Sequence, residues 1–431
     1  SYTSSGGAAT THHFNGYQLT SSLLAHGDWD DDLLKDFGTE LVQKEQDRYQ
    51  FWGTDRESSW DGDGTWDLIN SDPMVGFSDG LGHNPEAATD FLSGSTETDD
   101  GTIDNLDYLL KDREWHGGDA DKAHFGHALE AATTGHAYDE DPLNPAPPHS
   151  QEQAAIMKRV VTVVHEDSDV VATGMSGSLG RMSGEYMADF NRAIYGDEAK
   201  ELASKVAPAY GASLGLGKDV SVDFLYEVSK DPEGNAAVTL GSRQYSASAM
   251  VYHAENPEAY DLNAKDKMNE IAHNAGYIEG IAANAKSDEI VRRGLEDDEQ
   301  YNKSLERCGK WAEALISVGG TAAGGAAGGP PGAAIGSAVS SEAAKIAIGE
   351  LIDSAKQDTT GETSTEAGGV YSQAEGRTHS QIWAAMKGAK VDVPEGITRD
   401  AWLTAIHHGV AAGYDGAQSD VDKYVTNKPE E

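Results

Sequence analysis

Four histidines, His116, His124, His127 and His136, gather in one stretch of the chain, with Asp119 and Asp121 among them. Imidazole and carboxylate are donors to first-row transition metals, and His124 and His127, three residues apart, share one face of a helix. The H-E-x-x-H arrangement, which adds a general base between two zinc ligands, is absent. The set therefore reads as structural or exposed histidines, and no metal is assigned to it. His12-His13 and His407-His408 are weaker forms of the same signal.

A second candidate is acidic. Asp61, Asp63, Thr65 and Asp67 follow the D-x-D-x-T-x-D spacing of a calcium loop, with Asp72 at the twelfth position. Trp66 stands where the sharp turn of an EF-hand needs glycine, so the stretch reads as a solvated acidic turn. The run MSGSLGR (175–181) matches neither G-x-S-x-G nor S-x-x-K. Its glycines Gly177, Gly180 and Gly184 alternate with serine and lack the lysine of a phosphate loop. Cys308, the only cysteine, excludes an intrachain disulfide and a cysteine-cluster metal site; within LERCGKW it reads as a buried thiol. None of these motifs assigns a reaction, a cofactor or a small-molecule substrate, and the chain is expected to be non-enzymatic.

Charge narrows the partners. Asp and Glu number 73 against 32 Lys and Arg, for a formal net charge of −41. Such a surface repels nucleic-acid phosphates and anionic headgroups, and no basic cluster offsets it, so nucleic-acid binding is excluded. Solubility, cation binding or a basic partner are what it favours, and a salt-adapted proteome carries the same signature.

The elements that must position these residues are helical, and the fold class expected is all-α, in several units. Residues 1–16 read as a flexible tail. Helical spacing begins at Tyr17 and carries Leu19, Leu23 and Leu24, then Leu33, Leu34, Phe37, Leu41 and Val42. His83-Asn84-Pro85-Glu86, Lys230-Asp231-Pro232-Glu233 and Glu255-Asn256-Pro257-Glu258 each read as a capped helix start with proline in the first turn. FSDGLGHNPEAATDFLSG (77–94) aligns without a gap on FLYEVSKDPEGNAAVTLG (224–241), pairing Phe77 with Phe224, Leu81 with Val228 and Pro85 with Pro232. This predicts a duplicated helical module over 17–140 and 151–300, joined by a Pro- and acid-rich linker at 141–150. The alternation VVTVV (160–164) sits in a segment whose length suits a helix, and no strand ladder is expected.

A glycine-rich helical hairpin is predicted over 301–357. Gly320, Gly324 and Gly328 fall four apart, as do Gly332 and Gly336 beyond the Pro330-Pro331 break. Such spacing strips one helix face of side chains so that a second helix approaches closely, and the Gly-Gly-Pro-Pro-Gly centre demands a turn. These seven residues are the candidate helix-packing or membrane-hairpin positions. The arms are mainly Ala and Gly and carry Glu313, Glu342, Lys345 and Glu350, which favours a packed hairpin over a membrane span. A spacer at 358–370 leads to a small C-terminal helical unit at 371–431, with Ile382, Trp383, Met386, Trp402, Leu403 and Ile406 as its apolar residues and PEGITRDAWLTAI as a capped helix.

DPMVGFSDGLGHNPEAATDFL (72–92), NLDYLLKDREW (105–115) and GSLGRMSGEYMADFNRAIYG (177–196) resemble an uncharacterised family of large helical proteins from Streptomyces and other actinobacteria, over roughly residues 15–355. Members of that family open with a helical WXG-like region, an architecture associated with type VII secretion and polymorphic toxins, and often end in a glycine-rich hairpin. The resemblance implies a secreted protein. The WXG-like region is lacking here, and Ser1 is not preceded by a Sec-type signal peptide, so the chain reads as a processed or truncated product. The function expected is a structural or interaction scaffold, or a toxin-delivery component, that self-assembles or binds a protein partner. The alternative is a membrane-active toxin whose hairpin contacts the bilayer.

Overall fold

The computed structural model describes residues 15–47, 72–139, 148–195, 211–255, 263–293 and 396–426, together with 303, 304, 308, 374–376, 378 and 393. The protein is all-α, as its periodicity predicts. Helix α1 (Gly16–Leu24) opens on a reciprocal capping box between Asn15 and Gln18. It buries Gln18, Ser21 and Leu24, while Leu19 and Leu23 are 45% and 66% exposed. The leucine spacing thus points to the wrong face. The cause is α3 (Pro73–His83), whose Gly76 lies so near that an added Cβ would stand 2.6 Å from the Ser21 carbonyl oxygen. Only a small side chain fits there, and the Ser21 hydroxyl donates to the Pro73 carbonyl.

Helix α2 (Asp31–Asp47) buries Leu34, Leu41 and Val42 against α3 and α4 (Pro85–Leu92). A two-stranded antiparallel ladder follows, β1 (Ser95–Thr98) and β2 (Gly101–Asp104), closed at Thr98 opposite Gly101. This corrects the expectation of no strands. Its strands are four residues long, too short for a period-two signal, and what marks them is the threonine content and the turn ending at Gly101, with φ of +133°. The buried Thr96 hydroxyl donates to the Asn105 side chain at 2.7 Å and ties the ladder to α5 (Asn105–Asp107) and the π turn Tyr108–Asp112. Helix α6 (Asp119–Thr134) packs on α3 and α4 and stops at Gly135, in the left-handed region at φ +80°.

The second half begins with α7 (Gln151–Glu166), which takes up the VVTVV run as a helix and buries Val160, Val161, Val163 and Val164. Then come α8 (Ser176–Glu185), α9 (Met187–Ile194), α10 (Lys218–Val228), α11 (Pro232–Glu255), α12 (Ala264–Arg293) and α13 (Arg399–Val421). The two aligned stretches share a plan: each ends one helix, turns, and starts the next on proline, with Phe77, Leu81, Phe224 and Val228 fully buried. They part after Gly94 and Gly241, where the first enters the β ladder and the second stays helical to Glu255. The two proline starts differ in their caps. Asp231 accepts from the Glu233 amide at 2.9 Å, whereas Asn84 accepts from the Trp29 amide and donates to the Gly80 carbonyl. The third start, at Asn256-Pro257, lies outside the described residues.

One apolar core runs through both halves, from Leu24 to Val421, and a second gathers Met250, Met268, Ile271, Trp402, Ile406 and Tyr414 between α11, α12 and α13. Glycine sets the closest crossings. On α8, Gly180 faces Ala237 of α11, where an added Cβ would stand 2.7 Å from the Ala237 methyl; a Cβ added at Gly241 would stand as close to the Gly184 Cα. Between α12 and α13, Gly413 sits against Gly276 and Tyr277, Gly409 against Asn269 and Ala272, and a Cβ on Gly280 would reach the Ala417 methyl at 2.8 Å. At Gly276, Gly409 and Gly413 the obstacle is backbone. The glycines of MSGSLGR thus serve helix packing. Among the described residues no helix is long and apolar enough to cross a membrane.

Candidate functional site

Asp79 is the one charged residue in the otherwise apolar interior run of α3, and it points at α6. There His124 places Nδ1 2.9 and 2.8 Å from its two carboxylate oxygens, and His127 places Nδ1 3.1 Å from Oδ1. The spacing on α6 presents both imidazoles from one helix face, as the sequence implies. The carboxylate comes from 45 residues upstream and carries no local sign of its partners. The His127 ring lies parallel to Tyr138, with centroids 3.9 Å apart, and the Tyr138 amide donates to the Gly82 carbonyl at 3.0 Å. Gly82 makes room for this stack: a Cβ there would stand 2.9 Å from His127 and from Tyr138. One turn on, His83 meets Asp139 at 3.0 Å.

Electrostatics favour charge separation in this cluster. Burial opposes ionisation of Asp79, but the hydrogen bonds and charges of His124 and His127 outweigh it and hold the carboxyl below its ordinary range. The Asp79 hydrogen bond raises His124 against its own partial burial, with the Asp79 and Asp121 charges adding to it. Burial, then the nearby Asp79, Asp139 and Glu130 charges, push the Tyr138 hydroxyl up to about 12.

The other sequence candidates separate. His136 leaves the set and places Nε2 2.6 Å from Glu185 at the α8–α9 break; the second Glu185 oxygen lies 3.6 Å from His149, which stacks on Tyr186. Burial resists the charge on both partners, yet their mutual attraction takes His136 up to about 9 and Glu185 down to about 2. Asp121 accepts from the Gly117 amide at 2.6 Å, and Asp119 from the Thr173 amide at 3.4 Å. Asp61, Asp63, Thr65 and Asp67 lie outside the described residues, but Asp72 does not. It is buried, caps α3 at the Met74 amide and binds Arg113 at 2.8 Å, so its carboxylate is structural. The hairpin positions Gly320, Gly324, Gly328, Pro330, Pro331, Gly332 and Gly336 lie outside the described residues.

Three further polar knots escaped the sequence because each joins remote segments. Arg113 binds Asp72 and Glu45 and lies 4.5 Å from the Trp115 ring centre. Arg181 takes Glu130 in a two-point contact at 2.7 and 2.6 Å and reaches Glu233 at 3.3 Å. Arg243 binds Glu279 at 2.8 Å, and the Thr378 hydroxyl donates to the same oxygen. Cys308 is buried, as expected, with Sγ 3.8 Å from the Glu233 carbonyl. A half-open cavity of about 340 Å³ lies by α10 and α12, but its polar lining pairs internally: Tyr226 donates to Asp288 at 2.6 Å and Lys230 meets Glu227 at 2.6 Å.

Helices seated on glycine faces and pinned by buried ion pairs, with one half-open His–Asp cluster, define an all-α protein of closely packed helices. The chain belongs to DUF6571, a family of unknown function, which it matches over residues 25–427. No curated protein and no solved structure matches it.

Proposed function

We propose that the chain is a non-enzymatic, secreted scaffold or toxin-delivery component linked to type VII secretion, working through protein partners or self-assembly. The observation that carries the scaffold reading is the α12–α13 seam. Gly276, Gly280, Gly409 and Gly413 bring two backbones together, and Asn269 donates to the Ala405 carbonyl at 2.8 Å across it. Backbone contact of this kind leaves few side-chain rotamers to rearrange, which suits an element that holds a shape. A net charge of −41 fits it to a basic partner. The link to secretion is supported by the resemblance of residues 72–92, 105–115 and 177–196 to actinobacterial proteins.

The test is light scattering on the eluted chain, alone and with candidate basic partners, beside dye release from liposomes of bacterial lipid composition at neutral and acidic pH. A defined oligomer or complex without leakage supports the scaffold. Leakage that disappears on Gly324→Leu and Gly328→Leu overturns it in favour of a membrane-active toxin.

A further inference from the structure

We propose that Asp79, His124 and His127 form a binding site for a divalent first-row transition metal of the zinc type. The three donor atoms lie within 4.8 Å of one another, and Asp79 Oδ1 stands 2.9 Å from His124 Nδ1 and 3.1 Å from His127 Nδ1. Ligands bound at roughly 2.0–2.2 Å to one ion stand about 3.0 Å apart at right angles and about 3.4 Å apart in a tetrahedron. The carboxylate–imidazole pairs therefore need to move by only a few tenths of an ångström to share an ion, while the two imidazole nitrogens close on it from a separation of at most 4.8 Å. Each imidazole would present its Nδ1 lone pair inward and keep a proton on Nε2, any proton held on Nδ1 toward Asp79 being released to solvent as the metal binds.

The chain's own ion pairs provide the contrast. Where a pair serves packing alone, the side chains are shut away: Arg113 and Asp72 are 3% and 1% exposed, and Glu130, held by Arg181, is 1% exposed. His124, His127 and Asp79 are 40%, 27% and 17% exposed. One carboxylate receiving two imidazoles through the same ring nitrogen, on a side that water reaches, leaves coordination positions free beyond the three protein ligands. Structural zinc sites are closed by four protein ligands, so three ligands with an open face describe a site that can take water or a further group.

The surroundings fix two of the ligands in advance. Asp79 belongs to a helix packed on both α1 and α6, and His127 is held by the Tyr138 stack in the space that Gly82 leaves. Asp121 and Asp139 add negative charge nearby. Two imidazoles among three donors select against calcium and magnesium, which take oxygen ligands.

The experiment uses the full chain stripped with chelator, titrated with cobalt while its visible absorption is followed, then competed with zinc and with calcium. One ion per chain, displaced by zinc and indifferent to calcium, is the expected result. His124→Gln, at the most exposed ligand, and Asp79→Asn should each weaken binding at least about tenfold while the helical circular dichroism of the metal-free chain stays the same. Absence of a cobalt spectrum in the parent chain overturns the proposal. So does unchanged affinity in both variants, which would move binding to another site such as His12-His13 or His407-His408. Displacement by calcium overturns the assignment to the zinc type.

Discussion

The α3–α6 crossing and the α12–α13 seam are both glycine-assisted, yet they are secured in opposite ways. In the first, Gly82 opens a space that aromatic and ionisable side chains then fill: His127 on Tyr138, with Asp79 between two imidazoles. The flanking α3 start is locked by Arg113 with Asp72 and Glu45. In the seam, Gly276, Gly409 and Gly413 are met by backbone, and polar groups act at its margins, as where Tyr277 donates to Asp420 at 2.6 Å. The polar region depends on charge and so on pH and ions; the seam depends chiefly on close backbone packing, with few polar contacts across it. Chemistry and rigidity are thus placed in different parts of the chain.

Removing the guanidinium is the harshest way to break the polar side. Arg113→Leu leaves Asp72 and Glu45 buried without their cation, and chemical denaturation should show a loss of about 3–5 kcal/mol. Adding Asp72→Asn and Glu45→Gln to that variant should recover part of the loss, which separates unpaired charge from lost packing. On the seam, Gly413→Ala puts a methyl against the His273 carbonyl and the Tyr277 amide, neither of which can turn away as a side chain would. A loss of about 3 kcal/mol is expected in the same measurement. Gly416→Ala, whose Cβ would meet only the Tyr277 ring at 3.3 Å, should cost less than a third of that.

Titration sharpens the contrast through pH. His136 binds its proton more tightly in the folded chain, at about 9 against 6.5. Its contribution is therefore whole below 6.5 and is lost as pH rises through about 9. Stability should fall by about 3 kcal/mol across that window, and His136→Gln should flatten the slope. Amide exchange in α12 and α13 should not follow this dependence beyond what global unfolding imposes; a seam that loosened with His136 would undo the distinction between the two regions.

What could be read beforehand follows the same division. Local grammar was legible: the Thr398 cap of α13, accepting from the Ala401 amide at 3.2 Å, the helix through VVTVV, and the proline starts at Pro85 and Pro232. Half of the His–Asp cluster was legible too, because His124 and His127 are neighbours on one helix. Asp79 was not, since its role depends on how α3 crosses α6, and a lone aspartate in FSDGLGH has no spacing to betray it. The face of α1 was misread for a related reason. Leucine periodicity reports apolar content, whereas the buried side was chosen by the narrow gap above Gly76, which admits Ser21 and turns Leu19 and Leu23 outward. The Gly177, Gly180 and Gly184 spacing was visible, but its partner surface on α11 is more than fifty residues away by sequence.

The placement of the seam also bears on how the chain acquires its shape. α12 ends at Arg293 and its partner does not start until Arg399, so the tightest pairing among the described helices closes a long loop. Closing a loop of that length is slow compared with forming neighbouring contacts. A chain growing from its N-terminus therefore carries α12 with its glycine face and neighbouring apolar side chains uncovered by α13 until that helix is made. During that interval a second copy's α13, identical in sequence, fits the same face as the chain's own. The order in which these two helices appear makes the seam the natural place for exchange between molecules.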